Sequence, residues 1–145
     1  MENSILELKN SSEINQKIKN ENKKLVVINF GHTDTFLYQH YNEIFKDLKF
    51  KLSLFVDFYN CQILNVRELI QNLDLYDDVN IMCFYRQKHI KMDFSTGNNT
   101  KINFYIKSKE ELIDIFTLIF KEAVKGKNIV LIPTDHTYNK FNEIN

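Results

Sequence analysis

The chain has 145 residues, 43% hydrophobic and 26% charged, which is the size and make-up of one folded domain with a single sizeable core. Its 19 basic and 19 acidic residues cancel to a formal net charge of zero. That excludes a whole-molecule field able to hold nucleic acid or an anionic membrane unaided and leaves only local basic patches.

No apolar run reaches membrane-spanning length, and the N-terminal "MENSILELKN" is polar and acidic, unlike a secretory signal. The expected compartment is cytosol or nucleus. The sequons at Asn10 and Asn98 then carry no meaning. The two cysteines, Cys61 and Cys83, form neither a CxxC nor a metal-ligand spacing. No repeat, low-complexity linker or Pro/Gly-rich boundary interrupts the chain. The expectation is one domain over 1–145, with about 134–145 as a C-terminal tail.

In chain order, Ser11-Ser12-Glu13 precede "INQKIKN", whose Ile14 and Ile18 share a face, predicting a short capped helix. The β-branched Leu25–Phe30 predicts a buried strand. From about Asp34 to Lys49, Leu37, Tyr41, Ile44, Phe45 and Leu48 recur at helical spacing. "KLSLFVDFY" (Lys51–Tyr59) reads as a second strand, and Val66–Leu73 as a third helix with Leu69, Ile70 and Leu73 inward. "NIMCFY" (Asn80–Tyr85) is a further strand. The tight link "RQ" leads to Lys88–Phe94, where Ile90, Met92 and Phe94 alternate with Lys91 and Asp93, as in a half-buried antiparallel strand.

"STGNNT" is loop chemistry, and "KINFYI" is a short strand or an extended segment. Ser108 caps "KEELIDIFTLIFKEAVKG", with Leu112, Ile115, Phe116, Ile119 and Phe120 inward and Gly126 as its stop. "NIVLI" adds a short terminal strand. The order αβαβαββ(β)α is a right-handed βαβ crossover followed by a hairpin and a helix. That is the thioredoxin arrangement, an α/β fold whose central mixed β-sheet carries helices on both faces. The turn Gly31–Thr35 falls where thioredoxins keep their redox pair.

Thiol exchange needs a thiolate at the helix N-terminus and a resolving thiol one turn on, and His32 to Tyr41 contain no sulfur. Cys61 and Cys83 read as structural thiols in preference to a regulatory pair. His32 and Asp34 resemble a base with its orienting carboxylate but have no nucleophile, so a polar turn is the better reading. His40 and Glu43 are half of a metal pattern and read as a solvated pair. Three glycines without a GKS or GKT make no phosphate cradle. Arg86, Lys88, His89 and Lys91 form a basic edge at the hairpin, either a solvated strand edge or a contact for a phosphate or acidic partner. No catalytic set, cofactor site or metal site is read from the residues.

One segment is more distinctive than periodicity explains: "FYRQKHIKMDFSTGNNTKINF" (Phe84–Phe104). With "VVINFGH" (Val26–His32) and "ELIDIFTLIFKEAVKGKNIVLIP" (Glu111–Pro133), it resembles the DIM family of thioredoxin-like spliceosomal proteins, over about residues 5–141. The Thr-Gly-Asn-Asn-x-Lys-Ile-Asn wording favours the main branch over a thioredoxin-like paralogous branch.

The resemblance implies a nuclear, non-enzymatic scaffold of the U-five snRNP and tri-snRNP in pre-mRNA splicing, with a family link to mitosis. Its partners would be larger snRNP proteins, with RNA contact at most local and no membrane or small-molecule ligand. The protein would be monomeric outside the complex. Candidate partner-binding residues are His32, Arg86, Lys88, His89, Thr96, Asn98, Asn99 and Lys101. The alternative is a divergent thioredoxin-like adaptor, or a thiol redox sensor working through Cys61 and Cys83, outside splicing.

Three departures from the family stand out. Its Asp-Pro-x-Cys turn is here Thr35-Phe36-Leu37-Tyr38, and its Asp-Pro-Cys before the central strand is Asp77-Asp78-Val79. Tyr38 and Val79 thus replace the family's cysteine pair, and Asp78 replaces the proline that such folds hold in cis. The link from Asp57 to Tyr76 is also a few residues longer than the family's. A cis bond before a non-proline residue costs about 2.5–4 kcal/mol, so a trans peptide and a rearranged loop are expected before Asp78.

Overall fold

The computed structural model describes residues 4–96 and 100–133. Gly97, Asn98, Asn99 and the expected tail at 134–145 lie outside the described residues. The elements are β1 (Leu6–Glu7), α1 (Ser11–Asn20), β2 (Leu25–Gly31), α2 (Phe36–Lys51), β3 (Val56–Gln62), α3 (Ile70–Leu73), β4 (Val79–Tyr85), β5 (Lys88–Asp93), α4 (Lys109–Val124) and β6 (Ile129–Leu131). They form one six-stranded sheet in the order β1-β3-β2-β4-β5-β6. β2 runs parallel to β3 and antiparallel to β4; β4 and β5 are antiparallel; β5 and β6 are parallel.

β2 is buried along its whole length and sorts its side chains by parity. Leu25 and Val27 join a core with Tyr41, Phe45 and Leu48 of α2 and Leu112, Ile115, Phe116 and Ile119 of α4. Val26, Ile28 and Phe30 face Ile14 of α1 and the chain around Val66. Helices therefore cover both faces of a mixed sheet. On the larger face Phe58 packs against Phe45 at 4.7 Å and edge-on to Phe116 at 5.6 Å. The interior of α4 matches its helical spacing, except that Phe120 is only partly buried. Its ends are as expected: Ser108 accepts from the Glu111 N–H at 3.2 Å, and Gly126 closes the helix at φ +97°.

Four elements differ from the sequence reading. First, α1 begins at Ser11 because Asn10 is the cap: its Oδ1 accepts from the Glu13 N–H at 2.9 Å, and the Glu13 carboxylate accepts from the Lys9 N–H at 2.8 Å. Second, Lys51 ends α2 and does not start a strand. The Leu52 N–H still donates to Leu48, and the chain turns through Leu52–Phe55 before β3 starts at Val56. β3 then runs on to Gln62 because β2 offers a partner as far as Gly31. Cys61 accordingly lies inside a strand and not beyond it.

Third, the expected helix over Val66–Leu73 is two 3₁₀ turns, Ile63–Asn65 and Arg67–Leu69, and one short α-turn. Leu69, Ile70 and Leu73 are only partly buried there, while Val66 and Leu75 carry the contact. The turn ends at Asp74 in the left-handed region, φ 58°. Fourth, β1 has no periodic signal at all: its two residues pair with Tyr59 and Asn60. The ambiguous "KINFYI" is extended, with a single bridge from Ile102 to Ile81.

Candidate functional site: the β2–α2 turn and the hairpin edge

Gly31 ends β2, and Thr35 caps α2 by accepting the Tyr38 N–H at 3.3 Å while its own hydroxyl donates to the His32 carbonyl at 2.7 Å. The His32 N–H donates to the Asp78 carbonyl at 3.0 Å, which ties the turn to the loop before β4. No cis peptide occurs among the described residues, so Asp77–Asp78 is trans. That loop is held from two further sides. Asn80 Nδ2 donates to the Phe30 carbonyl at 3.2 Å and to that of Asp77 at 3.0 Å. Asn103 Nδ2 reaches the Asp77 carboxylate at 3.0 Å.

Tyr38 and Val79 come together around Gly31. Val79 is the strand partner of Gly31, and a Cβ at residue 31 would stand 2.7 Å from Tyr38 Cδ1 and 2.9 Å from the Asp78 carbonyl. Tyr38 is thus packed inward, and desolvation raises its phenol to about 12. The turn presents Phe36 outward in its place, 70% exposed, stacked on His40 and tilted against Tyr105. His40 and Glu43 do not form the solvated pair expected of them: His40 is half-buried with its Nε2 2.8 Å from the Ile106 carbonyl, and the Glu43 carboxylate takes Lys46 at 2.8 Å.

The basic edge is split by the strand's two-residue period. Lys88 lies on the α4 face with Ile90, whereas His89, paired with Phe84, and Lys91 lie on the other. Arg86 and Gln87 form the two-residue turn, both in the left-handed region at φ 49° and 72°. The Arg86 Nε donates to the Asn22 carbonyl at 3.2 Å, with the guanidinium 5.4 Å from the Tyr85 ring centre.

His89 is half-buried, 3.0 Å from the Thr100 carbonyl, and burial lowers its pKa. Thr96 is exposed, beside Ser95 at φ 63°. Lys101 is not at the surface: it is 1% exposed, with its ammonium on the Asp74 carbonyl and 3.7 Å from the Asp74 carboxylate. Burial lowers its pKa, partly offset by Asp74 and Asp77. Sequence reasoning misplaced it because a lysine in a polar loop is ordinarily solvated.

Cys61 pairs with Phe30 and Cys83 with Val27, on opposite sides of β2 and in opposite cores. Two strand spacings are roughly 9–10 Å, beyond the roughly 7 Å Cα limit of a disulfide, so no bridge forms within this fold. Burial pushes the Cys61 thiol up to about 12 and the Cys83 thiol higher still. Both should resist Ellman's reagent in the native protein and react fully in denaturant, at least about 100-fold faster. Rapid native labelling of either would contradict their placement.

The family model for "Mitosis protein DIM1" matches residues 4–136. "Spliceosomal protein DIB1" of Saccharomyces cerevisiae is 34% identical over 134 residues, spanning 92% of this chain and 94% of that protein. "Mitosis protein dim1" of Schizosaccharomyces pombe is 38% identical over 126 residues, 86% and 87% of the two chains. "Thioredoxin-like protein 4B" of Homo sapiens is 26% identical over 88% of this chain and 86% of its own. The solved thioredoxin of Fasciola hepatica superposes with a TM-score of 0.61 at 12% identity, over 78% of this chain and 97% of that one, which shows the shared fold. A family model matching residues 4–136, joined to relatives above 30% identity over 86% or more of this chain, places it in the mitosis protein DIM1 family.

Proposed function

We propose that the protein is a non-enzymatic, thioredoxin-like scaffold of the spliceosome, acting in pre-mRNA splicing within the U-five snRNP and tri-snRNP, in the nucleus. The carrying observation is the match to spliceosomal protein DIB1 over 92% of this chain and 94% of that protein. Two features of the molecule support a scaffold. The turn where the fold would do redox chemistry holds a buried phenol and no thiol. The remaining thiols sit in separate cores. The partner-binding residues of this reading are His32, Arg86, Lys88, His89 and Thr96, with Asn98 and Asn99 beyond the described residues. Lys101, buried against Asp74, belongs to the framework.

The partners are larger snRNP proteins. With no net charge, RNA contact is local. Tagged full-length protein incubated with nuclear extract should recover snRNP proteins at mild salt. Recovery of other nuclear or cytosolic proteins with no snRNP component would instead favour a thioredoxin-like adaptor outside splicing.

A further inference from the structure

A groove of about 160 Å³ runs between the β4–β5 hairpin and the C-terminal end of α4. Its floor is apolar, made by Tyr85, Ile90, Ala123 and Val124. Its rim carries Arg86, Lys88 and Lys127, and no carboxylate lines it. That is a local excess of positive charge in a chain whose charges otherwise cancel. Glu122, outside the lining, takes Lys127 at 2.8 Å and Lys125 at 3.1 Å. Lys88 is exposed and has no ion pair among the described residues. Arg86 is already oriented by Asn22 and Tyr85, so its guanidinium needs little further ordering to bind.

The groove also opens onto backbone. A two-residue hairpin makes Tyr85 and Lys88 a hydrogen-bonded pair, so the N–H and C=O of His89 point away from β4. β6 covers β5 only from Lys91 onward. Among the described residues, the His89 rung of the β5 edge is therefore left without a strand partner, between Lys88 and Ile90 of the groove lining.

We infer that this groove takes an extended acidic peptide segment of a partner protein. An apolar side chain seats on Ile90, Ala123 and Val124, carboxylates meet Arg86 and Lys88, and the peptide backbone meets the His89 rung. The inference deepens the scaffold reading and rests on the hairpin being a docking edge. A nucleic-acid strand fits less well, because base stacking needs an exposed ring and the lining's one aromatic, Tyr85, is buried.

The test is fluorescence anisotropy of the full chain with a labelled synthetic peptide, Asp-Glu-Leu-Asp-Glu-Val-Asp-Glu. Binding should weaken about tenfold in the Lys88→Gln, Lys127→Gln double variant, whose substituted positions are both exposed. It should weaken again between about 50 mM and about 300 mM salt, and amide shifts should centre on Ile90, Ala123, Val124 and Gly126. Equal binding of the Asn/Gln version of the peptide, indifference to the double variant, or tighter binding of a uridine oligonucleotide would each overturn the inference. Recovery of snRNP proteins from extract by a chain that ignores the peptide would sink the groove and leave the scaffold reading standing. Peptide binding without snRNP recovery would do the reverse.

Discussion

Tyr41→Phe should lower stability by about 2–4 kcal/mol, although it removes one oxygen and leaves the ring in place. The Tyr41 hydroxyl donates to the Phe104 carbonyl at 2.7 Å and accepts the Ile106 N–H at 2.8 Å. Both ends of that bridge lie on the extended segment between β5 and α4, which among the described residues makes one β-bridge to the sheet, from Ile102 to Ile81, and is otherwise held by side chains such as His40, Asn103 and Lys101. Tyr41 and Ile106 are fully buried, so water cannot replace the lost partner. Thermal unfolding should shift down by roughly 6–12 °C. Tyr76→Phe is the control: that ring is 66% exposed, and its variant should change little. Equal effects of the two substitutions would mean the bridge does not hold the segment.

Alkali should unfold the protein through its buried phenols and thiols. Buried neutral phenols and thiols hold their protons to higher pH in the folded chain than in the unfolded one. Tyr38, Tyr59 and Cys61 are raised to about 12, and Tyr41 and Cys83 are pushed up further, all chiefly by desolvation. The ordinary values are 10.0 for the phenols and 9.0 for the thiols. Above those values the unfolded chain binds fewer protons, so stability falls as pH rises.

The loss should begin near pH 9 with the thiols, steepen above about 10, and continue to about 12. Tyr41, Cys61 and Cys83 alone contribute up to about 4 kcal/mol per pH unit where all three titrate. Lys101 opposes this: its lowered pKa adds stability as pH rises towards its ordinary 10.5, but it is one group against five. His89, also lowered, adds a shallower loss on the acid side, as pH falls below 6.5. Denaturant midpoints across pH should trace both limbs. A profile flat to pH 11 would mean these phenols and thiols are not desolvated as described.

Where the reading from sequence worked, the information was local. The spacing of Leu112, Ile115, Phe116 and Ile119, the cap at Ser108 and the stop at Gly126 all lie on one helix and state its face directly. The alternation in Lys88–Phe94 and the two-residue link did the same for the hairpin. Errors came where a partner elsewhere decided the outcome. Lys51 could start a strand or end a helix, and β2 settles it, because its pairing with β3 begins only at Leu25 and Val56. β1 exists because the edge of β3 at Tyr59 and Asn60 accepts it. The candidate site divides in the same way. The absence of sulfur from the β2–α2 turn was plain, but nothing in "TDTFLY" said that Tyr38 would turn inward against Gly31 and leave Phe36 outside.

The sequence by itself determined most element types, the thioredoxin-like order and the lack of a thiol at the turn, and its distinctive segments carried the family resemblance. The elements, their order and the missing thiol follow from periodicity, capping and the identity of atoms, and the resemblance from the wording of those segments; none of them needs a third dimension. The tertiary structure alone decided which charges act together. Strand parity sends Lys88 to the α4 face and His89 and Lys91 to the other, so a basic run in sequence becomes a groove rim and a separate face. Packing took Lys101 out of the candidate surface, because crossing segments buried its stem and brought Asp74 to its ammonium. It placed Cys61 and Cys83 on opposite sides of β2, where sheet spacing keeps them from bridging. In each case the deciding quantity was a distance between residues far apart in the chain.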